Sequence, residues 1–124
     1  MILSRVVSAK IMSVFDWLGR RKTLSVVFMQ YVQVRNDTAV LSVNGIFNFG
    51  KCKIVSSEIN VALQNGCTKI AVDFDKTKFI DSAAIRMLCD FRENVHPANF
   101  AVGNAHGKVL TVLQGANLEE WLKF

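Results

Sequence analysis

The sequence predicts a single α/β domain: a small mixed sheet of four to five strands with helices packed on it, preceded by an amphipathic N-terminal helix. Two observations lead there. Segments whose apolar residues alternate with a period of two are followed by segments with helical spacing, an order that implies right-handed crossovers and parallel strand pairing. Two strand-like segments joined by a short polar turn near the start of the domain add an antiparallel member. Size agrees with this, because 124 residues that are 51% hydrophobic, with one Pro and seven dispersed Gly, support one compact core and no fibrous or low-complexity region.

The elements follow in order. Residues 3–18 place Leu3, Val7, Ile11, Val14, Phe15 and Leu18 at helical spacing, ending near Gly19 and the basic run Arg20, Arg21 and Lys22. With Trp17 beside that run, one reading is a helix for peripheral membrane contact or partner docking through residues 3–22. The preferred reading is an extension, residues 1–28, that packs on its own domain or is poorly ordered, since terminal segments are commonly peripheral. The domain proper is expected over residues 29–124. Residues 31–34 and 39–43 read as two strands around a polar turn at Asn36, Asp37 and Thr38, with Asn44 and Gly45 ending the second.

Residues 51–64 carry Cys52, Val55, Ile59 and Leu63 on one helical face, with Lys51, Lys53, Ser57 and Glu58 at the other positions, and Asn65 and Gly66 supply a left-handed stop. Residues 69–75 alternate Ile70, Val72 and Phe74 with smaller or polar residues, as a central strand with unequal faces does. A short loop leads to a second helix over residues 82–93, then a strand at 99–103, a helix over 108–114 stopped by Gly115, and a last helical piece at 118–123. Helices of this length are marginal alone, so their apolar stripes must be buried on the sheet.

Fifteen Lys and Arg against ten Asp and Glu give a net charge of +5, and +4 of it lies in residues 1–28, where Arg5, Lys10, Arg20, Arg21 and Lys22 face Asp16 alone. The domain is therefore almost neutral and lacks the distributed basic stripe with interleaved aromatics that nucleic acid requires. Cys52, Cys67 and Cys89 are odd in number and widely spaced, which fits neither a disulfide framework nor a zinc site, and they read as buried thiols in a reducing compartment. Asp16, the basic run and Gln30 break the only candidate membrane span, and no cleavage site marks a signal peptide, so the expected location is the cytoplasm.

Catalytic constellations are missing from the pattern. His96 and His106 precede Pro97 and Gly107 and read as turn residues, and there is no nucleophile elbow, no His-Glu-x-x-His and no phosphate-cradling Gly-rich loop. Asp73 and Asp75 are two apart on one strand face, but a magnesium or calcium site needs further oxygen ligands. Lys76 and Lys78 near the motif read as partners for nearby carboxylates or for an acidic protein, with solvated surface as the preferred reading. No enzyme activity, metal or cofactor is expected.

The informative stretch runs from Phe79 to Leu88, where Asp81 and Ser82 meet a helix start. Either residue suits the cap of the first helical turn. On that helix Ala84, Met87, Leu88 and Phe91 take the inward stripe, while Ser82, Arg86, Asp90 and Glu93 take the opposite one. Ser82 is then expected at the exposed lip of the sheet with Arg86 one turn away. A phosphoryl group there would bring about two negative charges, and the amides of the helix start favour an anion, so its effect would be on a docking partner.

Taken with residues 70–75 before it and residues 99–115 after it, this stretch resembles the STAS domain of bacterial anti-sigma factor antagonists, over about residues 31–124. The resemblance implies a STAS-like mixed sheet and phosphorylation of Ser82, the residue directly after the motif Asp81, by a switch-protein serine kinase that is itself an anti-sigma factor. It further implies that the unphosphorylated form captures that kinase and frees the sigma factor, and that a PP2C-type phosphatase resets the phosphorylated form. The partner-binding residues it implies are Asn44, Gly45, Asp81, Ser82, Ala83, Ala84 and Arg86. Where the family usually continues with Ser or Thr and then Gly, this chain has Ala83 and Ala84. That substitution also suits a second reading, a STAS adaptor subunit that binds a transporter constitutively, such as the ATPase of a phospholipid-transport complex.

Overall fold

The computed structural model describes residues 29–124, and the readings made for residues 1–28 lie outside the described residues. The chain forms β1 (Val32–Arg35), β2 (Thr38–Ser42), β3 (Gly45–Phe47), α1 (Phe49–Gln64), β4 (Lys69–Asp73), β5 (Thr77–Ile80), α2 (Ser82–Val95), β6 (Phe100–Gly103) and α3 (Gly107–Gly115). Short 3-10 turns occupy Pro97–Asn99 and Glu119–Trp121.

The main sheet has the order β1-β2-β4-β6. β1 and β2 are the antiparallel hairpin, with Asn36 in the left-handed region at φ 57°, which Asn tolerates. β2 with β4 and β4 with β6 pair in parallel. Register places Ala39 beside Ile70 and Ile70 beside Phe100, and Leu41 beside Val72 and Val72 beside Val102, so one face is continuously apolar and buried. Onto the core pack Val55 and Ile59 of α1, Leu88 and Phe91 of α2, and Val109 and Leu113 of α3. Trp121 meets Phe100 edge to face at 5.4 Å, closing the end near β6.

Several expectations need correction. β3 and β5 form a separate parallel pair, so Gly45 at φ 87° opens a strand where a stop was expected. The strand expected to reach residue 75 ends at Asp73; Phe74 turns into the core and the chain enters β5 through Asp75 and Lys76. Pieces of three and four residues are too short to show a period. The helix expected at 118–123 is a 3-10 turn followed by extended residues, with Leu122 bridging Val102 and the Lys123 amide donating to the Val102 carbonyl.

Glu58, expected at a position off the apolar stripe of its helix, is buried. Its Oε2 accepts from the Gln30 amide at 2.8 Å and its Oε1 from those of Tyr31 and Val32 at 2.8 and 3.1 Å. Of the thiols only Cys67 is buried; Cys52 and Cys89 are half-buried.

Candidate functional site

The site is built where β3 and β5 deliver the chain into α1 and α2. Phe47 and Ile80 pair in register and are both buried, which brings the two helix starts side by side. Asp81 follows Ile80 in an extended conformation, and its amide donates to the Phe47 carbonyl at 3.2 Å. Its carboxylate then serves both helices: Oδ1 accepts from the Ala84 amide at 2.9 Å, and Oδ2 accepts from the Phe49 amide at 3.0 Å. Asn48, at the cap position of α1, makes no side-chain capping bond, so Asp81 supplies across space what Asn48 does not. Each helix dipole favours a carboxylate at its start by about 0.3–1 kcal/mol.

Ser82 is the first residue of α2 and is exposed. Its amide and that of Ala83 have no acceptor inside the helix, as for any first turn. Arg86 lies one turn further on, also exposed, and both border a shallow depression with Ala83, Ile85 and Cys89. The expected facing of α2 holds for Ala84, Leu88 and Phe91, which are buried, while Met87 is half-buried. Ala84 is 0% exposed, so its methyl group belongs to the core and offers a partner no surface. Asn44 and Gly45 stand at the far end of β3 from the helix starts. The structure thus brings together Asp81, Ser82, Ala83 and Arg86.

Three large apolar side chains at this rim escaped the sequence reading. Phe49 is 76% exposed, and Ile46 and Phe79, partners across β3 and β5, are 50% and 39% exposed. Phe49 also borders a second shallow groove between α1 and α2, with Lys53, Ala83, Arg86, Met87 and Asp90. The signal available was the departure from alternation in Gly45, Ile46 and Phe47, whose middle residue is apolar and faces outward.

Burial pushes the thiol of Cys52 above its ordinary range, and the charge of Asp81 adds to this. Cys89 moves the same way through burial and then through Asp90. Asp73 is a loop anchor: its Oδ1 accepts from the Asp75 amide and from Asn104 Nδ2. The two histidines are turn residues, His96 accepting through Nδ1 from the Ala98 amide and His106 Nε2 donating to the Asp75 carbonyl. Among the described residues, no group of three or more His, Cys, Asp and Glu side chains is placed to hold a metal ion, and no helix is long and apolar enough to cross a membrane.

A mixed sheet joined to a second strand pair whose β3–α1 and β5–α2 connections place two helix starts under one shared carboxylate defines a small α/β domain with an exposed serine at its rim. The STAS domain family model matches residues 30–124, and the chain belongs to that family. Among solved structures, the unphosphorylated anti-sigma factor antagonist SpoIIAA is similar at 21% identity and TM-score 0.64, covering 76% of this chain and 84% of that one. The phosphorylated form of the Bacillus cell fate determinant SpoIIAA is similar at 20% identity and TM-score 0.59, covering 76% of this chain and 87% of that one. A sulfate transporter family protein from Wolinella succinogenes is similar at 16% identity and TM-score 0.58, covering 73% and 75%. At these identities the likeness is one of fold. No curated protein matches the chain.

Proposed function

We propose that this chain is a cytoplasmic anti-sigma factor antagonist acting by partner switching, with residues 29–124 as its working domain. In the unphosphorylated state it binds an anti-sigma factor that is also a serine kinase, and the sigma factor is released. The kinase transfers the γ-phosphoryl group of ATP to Ser82: the Oγ–P bond forms, the hydroxyl proton leaves, and ADP departs. Binding is then lost, and a PP2C-type phosphatase restores it by hydrolysis.

The observation that carries this reading is the exposed Ser82 at the first position of α2, beside an Asp81 whose two oxygens are both held by backbone amides. A hydroxyl so placed is open to an enzyme, and the residue before it is committed to the fold. A phosphoryl group adds about −1.5 to −2 charges at neutral pH without displacing any buried group, so the change acts on the docking partner. That a neighbour of the same fold exists in unphosphorylated and phosphorylated forms supports the reading.

The test is incubation with each serine-kinase anti-sigma factor of the same organism and ATP, followed by intact mass and site mapping. A single phosphoryl adduct on Ser82 is expected, with Ser82→Ala retaining the kinase and Ser82→Asp binding it weakly. The absence of an adduct under every growth condition, together with recovery of a transporter ATPase in a pull-down, would instead support the adaptor reading. Two observations favour that second reading: the transporter-family neighbour and the Ala83 and Ala84 pair after the serine.

A further inference from the structure

Resting on the partner-switching reading, we propose that the docking surface is an apolar ridge of Ile46, Phe49 and Phe79 with a cationic rim, and that the partner presents an apolar protrusion ringed by carboxylates. Ser82 then stands at the edge of the contact.

Exposure and register make the ridge. Ile46 and Phe79 face each other across β3 and β5 and both point away from the core, since their neighbours Phe47 and Ile80 are buried. Phe49 continues the ridge at the start of α1, its amide held by Asp81, and carries it into the groove between α1 and α2. Surface apolar residues scattered singly need no explanation, but three at one rim on rigid elements mark an interaction site. An aromatic residue more than half exposed at such a place is the type of side chain that anchors an interface.

Charge selects the partner. Lys53 and Arg86 line the groove beside Phe49, and Lys51 reaches the Ile46 carbonyl through Nζ. Against these three cations stand Asp90 and Asp81, the second already bonded to two amides. A rim positive on balance attracts carboxylates and repels a basic face. It also gives phosphorylation a local mechanism. Arg86 is one helical turn from Ser82 and exposed, so a phosphate on Ser82 draws the guanidinium into an intrahelical pair. The rim loses a cation and gains an anion in one step.

Calorimetric titration of the purified kinase that modifies Ser82 tests this with wild type, Phe49→Ser, Lys53→Glu and Ser82→Asp, at low and high salt. All substituted side chains are exposed, and unchanged thermal midpoints confirm folding. The expected result is wild-type binding that weakens with salt, a loss of roughly tenfold or more for Phe49→Ser, and a weaker, less salt-dependent interaction for Lys53→Glu. If wild type binds and Ser82→Asp does not, while Phe49→Ser and Lys53→Glu both bind like wild type, the ridge proposal is overturned and the switch stands. If no kinase binds wild type or modifies Ser82, the switch itself fails and the ridge proposal with it. Flotation with phosphatidylglycerol and phosphatidylcholine vesicles is run beside this. Capture of wild type but not Phe49→Ser, with kinase affinity unchanged, would assign the ridge to a membrane surface and overturn the proposal.

Discussion

Asp81 has both carboxylate oxygens bonded to backbone amides of two different helices, at 3.0 and 2.9 Å, which makes it a structural residue beside a reactive one. Asp81→Ala uncaps α1 and α2 together and is expected to lower stability by about 1–3 kcal/mol, whereas Asp81→Asn keeps one acceptor and costs less. A urea midpoint that falls at unchanged slope is the measurement. Ser82→Ala, at an exposed first helical position, is expected to stay within about 0.5 kcal/mol of wild type, which separates the two neighbours cleanly. The half-buried thiols give a pH signature. Burial and then Asp81 raise Cys52, and burial and then Asp90 raise Cys89, so both hold their protons where a free thiol begins to ionise. Both are expected to react with Ellman's reagent more slowly than glutathione at pH 8, with rates that rise toward more alkaline pH. The stability contribution has the matching sign: an unfolded chain ionises these thiols first, so the contribution is complete below the ordinary thiol range and is lost as pH rises through the raised values. The capping role of Asp81 toward its own helix was legible in the sequence. Its bond to Phe49, 32 residues away, was not, because no local pattern encodes it.

At the scale of elements, α1 is tied by two carboxylates, one at its first residue and one in mid-helix. Asp81 holds its first amide, and its own Glu58 holds three consecutive amides of the segment that enters β1. A carboxylate accepting several amides is a strong anchor, and its removal leaves the Val32 amide buried without a partner. Glu58→Ala is expected to cost about 2–3 kcal/mol by chemical denaturation. Hydrogen exchange should be faster at Tyr31 and Val32 while the amides of β4 and β6 keep their protection. Periodicity left Glu58 among the positions off the apolar stripe, and its burial was not legible because its partners are backbone groups that carry no sequence signal. The same limit hid β3 and β5. The long elements α1, α2, β2 and β4 were legible because each buries a stripe repeated over several turns or pleats, whereas a pair of strands of three and four residues is defined only by its partner.

For the whole molecule, the domain is expected to be autonomous. Among the described residues the buried core runs from Val32 to Trp121 with Met29 and Tyr31 packed against it, and the Glu58 anchor holds the amides of Gln30, Tyr31 and Val32. Residues 29–124 expressed alone should therefore unfold in one cooperative transition, with a thermal midpoint within a few degrees of the full chain. Loss of cooperativity on removal of residues 1–28 would place that segment in the core. The β6 edge is closed by the chain itself: Leu122 bridges Val102, the Asn104 amide donates to the Phe124 carbonyl, and the Phe124 ring lies where a Gly103 side chain would be. Gly103→Ala must displace that ring. Its cost is expected to fall when Phe124→Ala is already present, a coupling that a double-mutant cycle reads. By itself, the sequence determined the α/β class, the order of the long elements, the family resemblance and the facing of α2 that exposes Ser82, because these follow from side-chain periodicity and chain punctuation along contiguous residues. The tertiary structure alone decided that Asp81 and Glu58 serve distant amides, that β3 and β5 pair apart from the main sheet, and that Ile46, Phe49 and Phe79 share one rim. Those facts depend on which backbone groups and side chains meet across 26 to 33 residues of chain, a separation over which hydrogen bonding and packing leave no periodic trace.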